Sequence, residues 1–389
     1  MEPRRTSISF LRNGNSMVLS DVGARLKMRI ALLVPTMEIG GVERVFANLA
    51  NGLHESGAEV DLVLGHAGGD MSRLLVRDIH VFDLGSDHMV ESVPRLAKYL
   101  RRREPQAIIA AMTHCSAAAV LARAAAGKKT KIVATEHSTM SRIVANTPGI
   151  KYRLLPLWSR WTLNSVDHVV AVSSGVADDL STQTGIPRER FQVIYNPVIS
   201  DTLYLAAKDE VDHPWFQAGE PPVILAVGRL DKAKDFPMLI RAFRLIRNHR
   251  SARLMILGEG AERIQIEGVI RELHLTQDVA LPGLEHNPYR FMKRAAALAC
   301  SSKWEGFGVV LVEALALGTP VVSTNCAHGP AEILCNGKYG TLVPPGDHEA
   351  MAQGVLDALD NPVRNHIPIH VQQFTVRNVA SSYMSVASS

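Results

Sequence analysis

The sequence has few cysteines, few aromatic residues and no long apolar run. Aromatic residues make up 5% of its 389 residues, and its four cysteines (Cys115, Cys300, Cys326 and Cys335) form no Cys-x-x-Cys pair. This spacing argues against a zinc or dithiol site. Because the first three lie in or beside apolar runs, we expect buried free thiols and a reducing cytosol. No run approaches the roughly 20 apolar residues that cross a bilayer.

Several motifs of metal and nucleotide chemistry are missing as well. The sequence contains no Asp-x-Asp, no His-Glu-x-x-His and no Gly-x-Gly-x-x-Gly. The first two absences leave no recognisable site for a divalent cation. If the protein catalyses a reaction in which a diphosphate leaves, protein cations and helix N-termini must stabilise the charge that develops. The formal net charge of +4 is small, and no groove-reading motif is present, so nucleic-acid binding is not predicted.

Apolar runs of strand length alternate with helical patterns along most of the chain. This alternation predicts an α/β protein of two tandem, Rossmann-like, doubly wound domains facing a cleft. In such sheets, ligands bind at the carboxyl ends of the strands. The predicted strands of the first half are 29–34, 58–64, 107–111, 132–135, 168–172 and 192–194. Those of the second half are 222–227, 253–257, 279–281, 296–300, 320–323 and 340–343.

Composition suggests the following boundaries. Residues 1–27 are polar and lack an apolar core, which is typical of a disordered extension rather than a signal peptide. The first domain is expected over 28–205 and a linker rich in proline and charge over 206–221. The second domain then covers 222–365. The tail, 366–389, is predicted to form a helix from about residue 370.

The most informative segment is 302–314, which contains two carboxylates, Glu305 and Glu313. Glu305 lies in a loop beside glycine, and Glu313 is expected about two turns into the apolar helix that follows. Both acids could face one ligand. The backbone N–H groups of residues 306–309 would point out of the helix mouth and favour an anionic or hydroxyl-rich group.

Two further segments follow predicted strands. Arg229 and Lys234 come after the first strand of the second domain. The planar guanidinium of Arg229 and the compact ammonium of Lys234 are both suited to binding a diphosphate. A solvated surface turn is the alternative. Gly40 and Gly41 follow the first strand of the chain and would allow close backbone approach to a ligand. A glycine pair at this position is also common in simple turns.

His137 follows another predicted strand at its carboxyl end. A lone histidine more often has a structural role than a catalytic one. Here the position at the end of a strand makes a functional role and a structural role equally plausible. The neighbouring Glu136 could serve instead, and the sequence leaves the choice between them open.

Together these features resemble the family-4 retaining glycosyltransferases of the GT-B fold. The resemblance runs from about residue 28 to residue 360 and is strongest after residue 222. Its motifs are Gly40-Gly41-Val42-Glu43-Arg44, Val227-Gly228-Arg229-Leu230 with Lys234, Glu305-x7-Glu313, Asn196-Pro197 and Gly329-Pro330-Ala331-Glu332-Ile333-Leu334.

The resemblance implies a role for each of these residues. Glu313 would hold the ribose of a nucleotide sugar, while Glu305 and the backbone of Phe307, Gly308 and Val309 would lie beside the sugar. Arg229 and Lys234 would bind the diphosphate, with Gly40 and Gly41 opposite them across the cleft. The loop at Gly283 would lie near the base, and His137 would lie near the sugar or the acceptor. Glu305 could also act as a covalent nucleophile, but we favour a positioning role.

The implied function is retaining, metal-independent hexosyl transfer. The donor would be a nucleotide sugar, most simply a UDP-sugar, with no other cofactor required. The acceptor would be a glycan or a lipid-linked glycan in surface polysaccharide synthesis. The alternatives are a nucleotide-sugar epimerase on the same fold and a non-catalytic nucleotide-sugar sensor.

Two basic segments suggest contact with a membrane. Residues 95–103 and 151–161 combine Lys and Arg with apolar side chains, and the second also contains Trp158 and Trp161. Such amphipathic helices can lie on anionic lipid. The alternative is a solvated face over ordinary core. We expect a cytoplasmic protein, with peripheral binding at the inner face of the plasma membrane as a hypothesis.

Overall fold

A computed structural model describes residues 27–361 and 367–389 of the chain. The predicted extension 1–27, apart from Lys27, lies outside these residues. The described part forms two parallel sheets, one of seven strands and one of six. The prediction of two Rossmann-like α/β domains is therefore confirmed.

The first sheet has the strand order β3-β2-β1-β4-β5-β6-β7, and every neighbouring pair is parallel. The strands with continuous apolar runs are buried between helices on both faces, as parallel sheets require. Its strands are β1 (Arg29–Val34), β2 (Glu59–Leu64), β3 (His80–Asp83), β4 (Ala107–Ala111), β5 (Lys131–Glu136), β6 (His168–Ala171) and β7 (Phe191–Val193).

Strand β3 is the one strand of this sheet that the sequence did not predict. It pairs only with β2 and leaves three of its four residues exposed, including Val81. An exposed edge strand needs no apolar run, so its sequence carries little strand signal.

Within the described residues, seven helices from the first half of the chain pack around the first sheet. Helix α1 shows why: its apolar residues recur at helical spacing, so one side is buried against β1 and β2. The helices are α1 (Gly41–Glu55), α2 (Val93–Arg103), α3 (Met112–Ala126), α4 (Met140–Asn146), α5 (Ile150–Arg153), α6 (Leu155–Asn164) and α7 (Ser174–Thr184).

The second sheet has the order β10-β9-β8-β11-β12-β13, and all six strands match predicted runs. Its strands are β8 (Val223–Val227), β9 (Arg253–Leu257), β10 (Val279–Gly283), β11 (Ala297–Cys300), β12 (Val321–Thr324) and β13 (Thr341–Val343). Its helices, numbered after the linker helix α8 (Asp201–Ala206), are α9 (Phe236–His249), α10 (Arg263–Glu272), α11 (Pro288–Arg294), α12 (Val309–Ala316), α13 (Pro330–Ile333) and α14 (His348–Asp360).

The linker is packed rather than extended. Helix α8 lies across its predicted start, and a single 3₁₀ turn covers Pro214–Phe216. Phe216 contacts Phe291 edge to face at 5.6 Å, and the Arg253 guanidinium lies 5.2 Å from the Trp215 ring. These contacts attach the linker to the second domain.

The C-terminal helix, α15 (Val376–Ser388), returns to the first domain. It packs against α1, where Gly52 is close to Val376, and Ile199 pairs with Thr375 in an isolated bridge. The predicted start near residue 370 is wrong, because Ile369–Phe374 forms a 3₁₀ segment first. Thr375 caps α15 by accepting from the Asn378 N–H, which sets the start of the helix at residue 376.

Candidate active site

The carboxyl ends of both sheets meet across a cleft, and hydrogen bonds join the two domains there. Thr139 donates to the Glu305 carbonyl at 2.9 Å, and Ser173 donates to the Gly306 carbonyl at 2.8 Å. A side chain at Gly306 would lie 1.9 Å from the His137 carbonyl. The loop that carries Glu305 therefore lies directly against the loop that carries His137.

Lys234 and Glu305, both predicted site residues, form an ion pair. Lys234 Nζ donates to Glu305 Oε1 at 2.5 Å, and Ser302 Oγ donates to the same oxygen at 2.6 Å. Burial lowers the pKa of Lys234, but the charge and hydrogen bond of Glu305, together with the Cys300 and Asp231 charges, outweigh burial, and the pKa is raised. The ammonium is therefore charged throughout the physiological range.

Glu313 lies in α12, one turn from its start rather than the two turns expected. Its Oε1 accepts from the Tyr289 hydroxyl at 3.0 Å, and the same hydroxyl accepts from Arg44 Nη1 at 2.8 Å. Arg44 belongs to α1 of the first domain, so this chain of hydrogen bonds crosses the cleft. Burial raises the pKa of Glu313, while Arg44 and Tyr289 oppose that rise.

Arg229 lies in the turn after β8 with 78% of its side chain exposed. Its Nε is 3.6 Å from Asp231, whose carboxylate also accepts from the Ala233 and Lys234 N–H groups. The turn is packed tightly against Gly258, where a side chain would meet the Gly228 carbonyl at 2.0 Å. The turn that carries Arg229 is therefore fixed, whereas its long and exposed side chain can reach a ligand.

Gly40 and Gly41 stand at the start of α1, across from that turn. A side chain at Gly40 would meet the Glu43 carboxylate, whereas Gly41 faces open space. Burial raises the pKa of Glu43, with the Arg229 charge acting in the opposite direction. Glu43 of the first domain is therefore within electrostatic range of Arg229 of the second.

His137 and Glu136 have different surroundings at the end of β5. Glu136 is buried and accepts from Thr113 at 2.8 Å, and burial raises its pKa to about 7. Burial lowers the pKa of His137 to about 4, against a smaller effect of Asn196. His137 Nε2 lies 3.0 Å from Thr135 Oγ1, and Nδ1 is buried without a hydrogen-bond partner within normal geometry. The imidazole is therefore neutral at pH 7.

Phe307, Gly308 and Val309 form the N-terminus of α12. The Phe307 side chain is buried against Tyr195 and Phe374, each at 5.6 Å between ring centroids, so only its backbone can face a ligand. Gly308 adopts φ +99° at the N-cap, a conformation that favours glycine. The helix begins at Val309, directly after the loop that carries Glu305.

Gly283 ends β10 at the far side of the same cleft. It has φ +99°, and a side chain there would lie 3.0 Å from Glu259 Oε1. Arg263 donates to Glu259 at 2.5 Å and to the Leu281 carbonyl at 3.0 Å, which holds this loop in place.

Three residues of the cleft had no role in the sequence prediction. They are Tyr289, which joins Arg44 to Glu313, Ser302, which orients Glu305, and Glu332. Glu332 accepts from the Ser174 and Gly175 N–H groups at 3.0 and 3.1 Å, so it binds the N-terminus of α7 across the domain boundary. Its place in the Gly329–Leu334 motif was a usable signal, whereas Tyr289 follows an ordinary Pro at the start of a short helix.

The described part of the chain has neither a cluster of metal ligands nor a helix that could span a membrane. Within 27–361 and 367–389, no group of three or more His, Cys, Asp or Glu side chains could hold a metal ion. None of the helices in these ranges is both long and apolar enough to cross a bilayer.

Known proteins resemble the chain along most of its length. The model of glycosyl transferases group 1 matches residues 208–370, and that of glycosyltransferase family 4 matches residues 39–202. Among curated relatives, an N-acetylgalactosaminyltransferase of Campylobacter jejuni, acting on a diphospho-undecaprenol-linked sugar, is 30% identical over 60% of this chain. That match spans 62% of the relative's own length.

Other relatives match more completely but less closely. The lipopolysaccharide core glycosyltransferase LpsE of Rhizobium meliloti is 25% identical, over 90% of this chain and 96% of its own. Among solved structures, Anabaena HepE in complex with UDP and glucose has a TM-score of 0.75 at 20% identity, covering 93% of this chain and all of its own. With both family models matched in order, the chain belongs to the family-4 glycosyltransferases, and its two domains have the GT-B fold.

Proposed function

We propose that this protein is a retaining glycosyltransferase that moves a sugar from a UDP-sugar to a glycan or lipid-linked acceptor in surface polysaccharide synthesis. The observation that carries the proposal is the grouping of Lys234, Glu305 and Glu313 at one side of the interdomain cleft. Relatives named for lipopolysaccharide and undecaprenol-linked glycans support the acceptor class. The UDP bound by Anabaena HepE supports the nucleotide.

In this proposal the donor lies along the second domain. Glu313 accepts from the ribose hydroxyls, Arg229 and Lys234 bind the diphosphate, and the Gly283 loop lies near the base. The sugar then rests between Glu305, with the backbone at residues 307–309, and His137. Gly40 and Gly41 approach the diphosphate from the first domain, where no side chain would obstruct it.

Transfer breaks the bond between the anomeric carbon and the diphosphate oxygen, and the acceptor hydroxyl forms a new bond on the same face. The departing diphosphate oxygen takes the acceptor's proton. The negative charge that develops is stabilised by Lys234, Arg229 and the N-terminus of α12, so we propose that no divalent cation is needed. Activity should then persist in EDTA, and loss of activity that Mg²⁺ or Mn²⁺ restores would contradict this part.

Glu305 positions the donor sugar in this scheme rather than attacking it. One of its oxygens already accepts from both Lys234 and Ser302, at 2.5 and 2.6 Å. These bonds withdraw electron density from the carboxylate and fix its orientation, which suits a hydrogen-bond acceptor better than a nucleophile. We assign His137, in preference to Glu136, to a sugar or acceptor hydroxyl, because its imidazole is neutral and its backbone lies against the loop that carries Glu305.

The first experiment is a thermal-shift panel of UDP-, GDP- and ADP-sugars, followed by analysis of the products. We expect UDP-sugars to give the largest shift, because a ligand that binds only the folded state raises its stability. Release of UDP with transfer to an acceptor and retained anomeric configuration would support the proposal. No shift with any nucleotide sugar would contradict it, and conversion of the donor to an epimer would favour an epimerase.

We also propose that the segment 151–161, together with the preceding Ile150, binds anionic membrane at the cytoplasmic face. Its helices expose Ile150 (71%), Leu157 (66%), Trp158 and Trp161, and Lys151, Arg153 and Arg160 lie among them. Such a surface suits an anionic lipid interface. In the other candidate segment, 95–103, the large apolar side chains are buried, and Arg95, Arg101 and Arg103 bond to the first domain itself. That segment fits a solvated face over core.

Flotation with vesicles of anionic phospholipid tests the membrane proposal. The wild type should float at low salt, and Trp158→Ser with Trp161→Ser should reduce flotation about tenfold. Leu205→Ser is the matched control, since Leu205 is even more exposed (60%) than Trp158 (43%) or Trp161 (42%) but lies in the linker helix. Flotation that is absent in the wild type, or unchanged in the double variant, would contradict the proposal.

A further inference from the structure

Arg44, Tyr289 and Glu313 form a hydrogen-bonded relay that joins the two domains. Arg44 Nη1 donates to the Tyr289 hydroxyl at 2.8 Å, and that hydroxyl donates to Glu313 Oε1 at 3.0 Å. The Arg44 guanidinium also lies 5.3 Å from the centre of the Tyr289 ring. Arg44 comes from α1 of the first domain, whereas Tyr289 and Glu313 come from α11 and α12 of the second.

The relay has a fixed direction because of where its members lie. Tyr289 and Glu313 are both buried. Burial and the Glu313 charge raise the pKa of Tyr289, so the phenol stays protonated and always donates to the carboxylate. Arg44 is permanently charged, and its fork reaches Glu313 only through this hydroxyl.

Arg44 also acts on the charge of Glu313. Burial favours the neutral acid, and the Arg44 charge is the largest opposing effect. A carboxylate that is fixed at one oxygen, beside a cation that favours its ionised form, is a better acceptor for a diol than a free or protonated one. Removal of Arg44 would leave Glu313 held by Tyr289 alone.

We propose that Arg44 is a positioning residue that couples domain closure to the grip of Glu313 on the nucleoside. The inference rests on the proposed function, in which Glu313 accepts from the ribose hydroxyls. When the domains close, Arg44 reaches Tyr289 and fixes the carboxylate. By reciprocity, a nucleotide with an intact ribose favours the closed arrangement.

The test compares two ligands, UDP and 2′,3′-dideoxyuridine diphosphate, by isothermal titration calorimetry. The dideoxy analogue lacks the hydroxyls that Glu313 would hold. We expect the wild type to bind UDP about thirtyfold more tightly, the size of one or two charge-assisted hydrogen bonds. Arg44→Met should reduce that preference to about fivefold. A purely structural role for Arg44 would not change the ratio of the two affinities.

Three further variants make the comparison specific. Tyr289→Phe should reduce the preference as Arg44→Met does, and the double variant should be no worse than Tyr289→Phe alone, because both changes break one relay. Arg44→Lys should recover part of the preference by restoring the charge. Glu332→Gln is the matched control: it weakens another interdomain contact, the one with α7, so it should lower both affinities by the same factor.

Two results would overturn the inference, and they differ from each other. If the wild type prefers UDP but Arg44→Met keeps the same preference, the relay is wrong while the proposed donor site stands. If the wild type binds both ligands equally, Glu313 does not hold the ribose, and the donor site and the relay fall together. Thermal unfolding without ligand checks that each variant is folded.

Discussion

At the scale of single residues, burial decides which charges in the cleft are fixed and which are available. Lys234 and Glu305 are held against each other, with 22% and 12% of their side chains exposed. Arg229 is largely free, and Glu313 depends on a neighbour from the other domain. In the proposed function, the fixed pair would orient the sugar and the leaving group, and the exposed Arg229 would follow the diphosphate.

Glu305→Gln tests the positioning role of this pair. The change leaves the Lys234 ammonium without its counter-charge, and we expect kcat/KM to fall about 100-fold. The free energy of unfolding should fall by about 1–3 kcal/mol. This loss is smaller than for a fully buried pair because both side chains keep some contact with water. Ser302→Ala is the matched control, because it removes one hydrogen bond but keeps the ion pair. Steady-state kinetics and urea unfolding measure both effects. A glycosyl adduct isolated on Glu305 of the wild type would contradict the positioning role.

Glu136 gives a prediction for pH dependence. Burial raises its pKa from an ordinary 4.5 to about 7, so between these values the folded state holds a proton that the unfolded state releases. Stability from this group therefore falls as pH rises from about 4.5 to 7. Glu136→Gln, which mimics the protonated acid, should add about 3 kcal/mol at pH 8 and little at pH 4.5.

Urea unfolding at the two pH values measures this difference, with Thr113→Val as a control that removes only the hydrogen bond to Glu136. An equal change at both pH values in Glu136→Gln would show that titration of Glu136 does not contribute to stability.

The candidate site could be partly predicted from single residues. Glu305, Lys234, Arg229 and Glu313 belong to recognisable spacings, and the structure brings the loops that carry them to one cleft. Tyr289 and Ser302 carried no such signal, because a role that consists of orienting another side chain depends on contacts between distant parts of the chain. Likewise, the sequence could not show that Phe307 is buried and offers only its backbone.

At the scale of elements, the contact between the two domains is made by loops that follow strands. The loop from Ser301 to Gly308 lies between β11 and α12, and it meets the loop after β5 at Gly306. A second contact joins α13 to the N-terminus of α7 through Glu332, a carboxylate at the positive end of a helix dipole. Both contacts consist mainly of hydrogen bonds, which suits a surface that opens and closes.

Gly306→Ala should separate closure from folding. The added methyl group would lie 1.9 Å from the His137 carbonyl. Because that carbonyl belongs to the other domain, we expect the clash to disappear when the domains separate. We expect kcat/KM to fall at least 100-fold while the midpoint of thermal unfolding changes by less than about 3 °C. Gly268→Ala is a matched control, since a methyl group at Gly268 in α10 meets nothing within 4 Å. Full activity in Gly306→Ala would show that this close contact is not part of the working enzyme.

The elements themselves were well predicted wherever their sequence pattern is strong. Buried parallel strands appear as continuous apolar runs, so twelve of the thirteen strands coincide with predicted segments. The exposed edge strand β3 escaped, because pairing on one side and exposure on the other demand no particular pattern. The predicted start of α15 differs from the observed one because the 3₁₀ segment before it resembles a helix in composition, and the α-helix begins only after the cap at Thr375.

At the scale of the whole molecule, the chain crosses between its domains more than once. It leaves the first domain through α8, builds the second, and returns through Ile369–Phe374 to dock α15 on α1. Phe374 links the two, since it contacts both Tyr195 of the first domain and Phe307 of the second. The loop around Phe307 is therefore supported from both domains. In the proposed function, the affinity for a nucleotide bound beside this loop would depend on how the two domains are arranged.

The most direct test of this account is UDP binding to the wild type and to Glu313→Gln, measured by calorimetry under identical conditions. The account predicts a clear wild-type isotherm and about tenfold weaker binding by the variant, which loses the charge that accepts from the ribose. Equal affinities, or no binding of UDP by the wild type, would contradict the assignment of this cleft to a nucleotide-sugar donor.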